Sequence, residues 1–239
     1  MNKELSDKNK LYKEELINSI EPYFIFNKKP LNRIKLEIID SADNNKKKID
    51  QLTNLKKNIN SIQNCNLKKN PNKLILGDGN LDSSVMIIGE APGEKEEECG
   101  QTFQGESGNL LKKMLLAINL KKENIYSCYA VNFRPPEDRK PTSHEIRRYS
   151  LFLKDHISII DPKIIILFGS SAMESVTASS SKISNERGKW KEIILKNKTY
   201  PIMVTFSPSY LIRFPENKKY SWEDLKKIDK KIKDLKIQI

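Results

Sequence analysis

The chain has 239 residues, with 43 Lys and Arg against 31 Asp and Glu, a formal net charge of +12 and a pI near 9.4. That length suits one principal domain with an appendage, able to bury its core without disulfide or metal support, and the sequence has neither a run of ~18 apolar residues nor the apolar stretch of a signal peptide. A cytoplasmic, nucleoid-associated monomer with no membrane contact is therefore expected, and the charge favours nucleic acid, since each cation placed on a phosphate releases condensed counterions; an AT-rich coding sequence yields the same Lys/Asn excess without selection for binding.

Residues 1–48 are Lys/Asn/Glu-rich, and LYKEELINSIEPYFIF has helical periodicity, as a loosely attached helix or a partner-binding arm. They are read as a helical extension, and residues 49–239 as the main domain, with Ile49 to Cys65 its first helix. Apolar runs begin to alternate with turn residues at PNKLILGDGN. Four short Val/Ile-rich runs then predict buried parallel strands: Val85 to Ile88, Ile125 to Val131, Ile164 to Phe168 and Ile202 to Phe206. Helical patterns separate or follow them at Asn109 to Ile118, Ser143 to Ile159 with Ser143 as N-cap, Ser170 to Val176 and Trp222 to Lys236. This alternation predicts a three-layer α/β/α fold with a central, mostly parallel four-stranded sheet. Its ligand crevice would lie beyond the carboxyl ends of the strands.

The loops at those ends carry the chemistry. After the first strand, Gly89 to Gly108 contains five glycines and a single large aromatic, Phe103, so backbone can approach a flat ligand while the ring stacks on it. Neither GxGxxG nor GK[ST] is present, which counts against a nucleotide cofactor. The second strand ends at Asn132, whose amide can both donate and accept at the edge of a pyrimidine or can simply cap the loop. The stiff FRPPEDRKPT that follows brings Arg134, Arg139 and Lys140. The fourth strand runs into Ser207, Pro208 and Ser209, then Leu211, Ile212 and Arg213, which reads as an apolar wedge beside a cation or as an ordinary helix start. Cys65, Cys99 and Cys128 have no metal-ligand spacing. His144 and His156 fall on a helix outside these loops.

Together, GEAPG with TFQGESGNLL, VNFRPPEDRKPT and SPSYLIRFPENK resemble the three motifs of the family 4 type uracil-DNA glycosylases, over roughly residues 60–235. The resemblance implies hydrolysis of the N-glycosidic bond of uracil in DNA to start base excision repair. A flipped uracil would stack on Phe103 and be read by Asn132, and Gly89, Ala91, Pro92 and Gly93 would offer backbone to a pyrimidine carbonyl. Glu90 would be the carboxylate nearest the attacking water. Ser209, Tyr210, Leu211, Ile212 and Arg213, with Arg134 and Arg139, would hold the DNA, Leu211 and Ile212 filling the gap left by the extruded base.

Two departures from the family pattern bear on function. Ser207 stands where the family has a His that donates to the uracil O2, a loss worth about 100- to 1,000-fold in rate for one such donor. A degenerate homologue that recognises uracil or DNA without fast turnover is the alternative reading. The family's [4Fe-4S] cluster needs four cysteines. Only Cys65 matches, with Phe133 and Tyr149 near two other ligand places, so no cofactor is expected. In this the chain resembles a branch of the family that lacks the ligands. Partners implied are uracil-containing DNA and, through the extension, a replication or repair protein.

Overall fold

The computed structural model describes residues 41–68 and 73–238. The LYKEELINSIEPYFIF pattern lies outside them. In chain order the elements are α1 (Ser41–Asn60), β1 (Gly77–Gly79), β2 (Val85–Gly89), α2 (Glu94–Cys99), α3 (Gly105–Leu116), β3 (Ile125–Tyr129), α4 (Ser143–Ile160), β4 (Ile164–Phe168), α5 (Ser170–Thr177), α6 (Ile183–Glu186), β5 (Trp190–Leu195), β6 (Lys198–Thr205), α7 (Pro208–Arg213) and α8 (Lys218–Asp234). No helix among the described residues is long and apolar enough to cross a membrane.

The four apolar runs form the parallel centre of the sheet, in the order β3-β2-β4-β6. Among the described residues, two antiparallel edge strands widen it to six: β1 pairs with β3, and β5 with β6. Neither has the signature of a buried strand, β1 being the tripeptide Gly-Asp-Gly and β5 exposing Ile194. Strand alternation divides the core between the two faces. Met86 and Ile88 meet Leu52, Leu55 and Ile59 of α1 and Leu153 and Ile157 of α4, while Val85 and Ile87 meet Leu111 and Leu115 of α3 and Leu225 and Ile228 of α8. Because β2 is flanked by β3 on one side and β4 on the other, the chain reverses its winding direction there. A crevice opens at the carboxyl ends of strands at such a switch point.

Local caps refine the expected boundaries. The N-cap of α4 is Thr142 rather than Ser143. Its hydroxyl accepts from Glu145 N at 3.3 Å, and the Glu145 carboxylate accepts from Thr142 N at 2.8 Å, a reciprocal box that a Ser one residue later does not close. α1 crosses the expected boundary at residue 48 without a break. Lys48 donates to the Leu81 and Ile160 carbonyls and to Asp82, tying α1 to the main domain.

Candidate active site

A cleft of about 250 Å³ opens at the ends of β2, β3, β4 and β6, lined by Gly89 to Gly93, Phe103, Tyr129, the Pro135–Pro141 loop and residues 207–209, with Arg213 at its rim. The parallel register sets Tyr129 directly beside Gly89. A side chain at 89 would stand 2.7 Å from the Tyr129 ring and 2.8 Å from Phe103 Cζ, so Gly89 is what admits both rings. Their centroids are 5.0 Å apart at 39°.

Phe103 is held from behind. Its backbone has φ 50, in the left-handed region, and its N–H donates to Tyr129 Oη at 2.7 Å. One residue earlier, Thr102 donates through both N–H and hydroxyl to Asp78 on β1, and Ser127 donates to the same carboxylate. Glu96, which is buried, accepts from Gly93 N at 3.0 Å and Gln104 N at 2.8 Å, joining the two ends of the loop. Burial pushes the Tyr129 phenol well above its ordinary range, so it stays neutral.

Glu90 reaches across to the start of α5, where its carboxylate accepts from Ser171 N at 3.0 Å and Ser170 Oγ at 3.3 Å, with Lys140 Nζ at 4.0 Å. Gly169, at φ +102, leaves the room: a Cβ there would lie 2.3 Å from Glu90 Cδ. Ser207 is the N-cap of α7. Its oxygen accepts from Tyr210 N and lies 3.2 Å from Ser209 Oγ. Arg139 lines the cleft while held by Glu145 through two bonds of 2.7 and 2.8 Å, and this pairing brings the Glu145 carboxyl down to about 2.

Several expected residues stand elsewhere. Asn132 does not line the cleft; its side-chain amide donates to the Ile75 carbonyl at 3.0 Å, and its backbone carbonyl accepts from Ile75 N, so it ties the segment before β1 to the end of β3. Arg134 also lies off the cleft, ringed by Glu94, Glu97 and Asp138. Leu211 is buried rather than offered as a wedge, and Ile212 is half-buried; the exposed apolar residue at the end of α7 is Phe214. The reason is helical phase, since Leu211 sits on the inner face of a six-residue helix and Ser209 and Arg213 on the outer. Tyr210 is stacked between Phe206 and Phe214.

Tyr129, Glu96 and Asp78 were not singled out from sequence. Only Tyr129 had a readable signal, a polar aromatic at the carboxyl end of a central strand. A further support lies beneath β6: Asp224, fully buried, accepts from Thr205 Oγ1 at 2.7 Å and Arg187 Nε at 3.0 Å, anchoring the strand two residues before Ser207. Burial raises the Asp224 carboxyl, against the pull of Thr205 and Arg187.

The residues do not fit a [4Fe-4S] cluster. Cys65, Phe133 and Tyr149 come together, the Cys65 thiol 3.3 Å from Tyr149 Oη and the two rings edge to face at 6.5 Å, so one thiol gathers with two aromatic rings, short of the four thiolates a cluster needs. Cys128 is sealed in the core and Cys99 is exposed on α2. Among the described residues, no group of three His, Cys, Asp or Glu gathers to hold a metal ion.

Residues 76–227 match the model of the Uracil DNA glycosylase superfamily. The chain is 35% identical over 172 residues to the Type-4 uracil-DNA glycosylase of Thermotoga maritima, covering 71% of this chain and 88% of that protein. It is 32% identical to the Type-4 uracil-DNA glycosylase of Sulfurisphaera tokodaii, over 75% of this chain and 84% of the relative, and 28% identical to that of Archaeoglobus fulgidus, over 75% and 92%.

Proposed function

The chain belongs to the uracil DNA glycosylase superfamily, and from that membership we propose that it is a hydrolase that excises uracil from DNA, leaving an abasic site and opening base excision repair. The observation that carries the assignment of residues is the convergence, in one cleft, of a side-chain-free strand end at Gly89, the stacking ring of Phe103, the Glu90 carboxylate and the Ser207 hydroxyl.

The extruded uracil lies on Phe103, where the absence of a side chain at Gly89 lets the base edge approach backbone. The Ala91 to Gly93 turn is the source of contacts to the pyrimidine carbonyls. Asn132 is engaged with Ile75, so base reading falls to this backbone and to Ser207.

As the C1′–N1 bond breaks, its electron pair passes to the uracil ring and the sugar gains oxocarbenium character. A water adds to C1′ and passes its proton to Glu90, the carboxylate that orients it, while uracil departs as the anion. Fixed dipoles aimed at the growing charge are the largest contribution such a site makes. Ser207, whose oxygen is already occupied by Tyr210 N, directs its hydroxyl proton to the uracil anion in place of an imidazole. Arg139 and Arg213 hold phosphates on either side, with Ser209 and Tyr210 on the same helix.

Residues 1–48, whose last eight open α1, are read as an appended arm for a replication or repair partner, on the strength of their Lys/Asn-rich composition, and the protein as a monomer of the nucleoid-associated cytoplasm. The decisive experiment on the site is single-turnover cleavage of a uracil-containing oligonucleotide at excess protein, alongside Phe103→Ala. Cleavage by the native protein and its loss in the variant are expected. An equally active variant would remove Phe103 from the base site.

A further inference from the structure

The side of α7 that does not face the cleft carries a ladder of stacked groups. The Arg187 guanidinium lies between the Tyr220 ring, at 5.3 Å, and the Phe206 ring, at 5.6 Å. Phe206 stacks on Tyr210 at 4.9 Å and 23°, and Tyr210 meets Phe214 at 4.9 Å and 39°. Phe206 is buried at the middle of the ladder, and the ends are open: Phe214 is 45% and Tyr220 43% exposed. Tyr220 also carries Lys219 Nζ over its ring at 5.0 Å.

Phe214 directly follows Arg213, which lines the rim of the cleft, so the open end of the ladder continues the base site rather than standing apart from it. The surroundings are net cationic: Arg213, Lys218 and Lys219 flank it in sequence against the single carboxylate of Glu216, on a chain of net charge +12. An exposed aromatic face backed by stacked rings and bordered by cations is the arrangement that holds unpaired bases, since every base has a π-face and the cations follow the backbone. In a duplex, the bases beside an extruded nucleotide remain paired and expose a face only towards the vacated gap, so an unpaired strand is the freer partner.

The geometry points to Phe214 as a platform for an unpaired base next to the extruded uracil, making single-stranded DNA the favoured substrate. This rests on the uracil-excising role of the neighbouring cleft. Ring stacking takes the place of the insertion expected of Leu211, which is buried on the inner side of α7.

The test measures equilibrium binding to single-stranded and duplex oligonucleotides, each bearing one cleavage-resistant 2′-fluoro-deoxyuridine, with thymine-containing controls. For Phe214→Ala, the ratio of single-strand to duplex affinity is expected to fall roughly tenfold. Phe214→Trp should restore the ratio, and Trp222→Ala, which removes a comparably exposed aromatic outside the ladder, should leave it as it was. Equal losses on both substrates, or no loss on either, would overturn the platform. Native protein that binds thymine and uracil strands alike, yet loses single-strand affinity in Phe214→Ala, would keep the platform and remove the uracil assignment instead.

Discussion

Replacing Tyr129 by Phe isolates one atom of the cleft. The ring remains beside Gly89 and against Phe103, so packing is conserved, and the acceptor for the Phe103 N–H is lost. A buried amide left without a partner costs about 1–3 kcal/mol. Because Phe103 is only partly buried, the lower end applies, about 1 kcal/mol. The left-handed φ of Phe103 costs a similar amount, roughly 1–2 kcal/mol, and the Tyr129 bond is what offsets it. With about 1 kcal/mol removed, the equilibrium constant for holding the ring in its stacking position falls about fivefold. Single-turnover excision should slow by up to that factor, and the urea midpoint should drop by roughly 0.5 M for a denaturant slope of about 2 kcal/mol/M. Unchanged rate and midpoint would refute the idea that this hydroxyl holds Phe103. A loss of a hundredfold with an unchanged midpoint would instead place the hydroxyl on the uracil itself.

Ser207→His puts a longer donor at the N-cap of α7 and is expected to raise the single-turnover rate; a lower or equal rate would mean that the Ser-centred cap, through Tyr210 N, is what this cleft is built around. Burial pulls His156 down to about 4 from an ordinary 6.5, with Tyr126 Oη at 2.9 Å its partner. The unfolded chain then takes up a proton that the folded state refuses, so stability declines as pH falls from 6.5 towards 4 and is flat above 6.5. His156→Gln should lessen that decline in Tm scans, and an identical pH slope in the two proteins would rule His156 out as its source.

The central strands were legible because a buried parallel strand leaves an uninterrupted Val/Ile run, as at Ile164–Phe168. The cleft loops were legible too, since glycines, Phe103 and the Ser-Pro-Ser turn sit at strand ends. What the sequence concealed depends on direction. Asn132 and Tyr129 are three residues apart on one strand end, and which of them faces the cleft follows from the register of β3 against β2, a non-local fact. Leu211 was read as a wedge from its apolar character, whereas its phase on α7 turns it inward. The edge strand β1 is three residues long with two glycines, and its task of bringing Asp78 to Thr102 has no local pattern at all.

The bracing of the Phe103 loop has a kinetic consequence. With Glu96 joining both ends of the loop, and Asp78 and Tyr129 fixing its middle, the slot is shaped before any base arrives. The motion in the encounter is therefore the nucleotide's, and the barrier is the unstacking and unpairing of the DNA, a few kcal/mol that is smallest at a mismatch. A protein of this build is expected to sample openings rather than force them, so its turnover on a duplex should rise as the pair holding the uracil weakens, faster opposite guanine than opposite adenine.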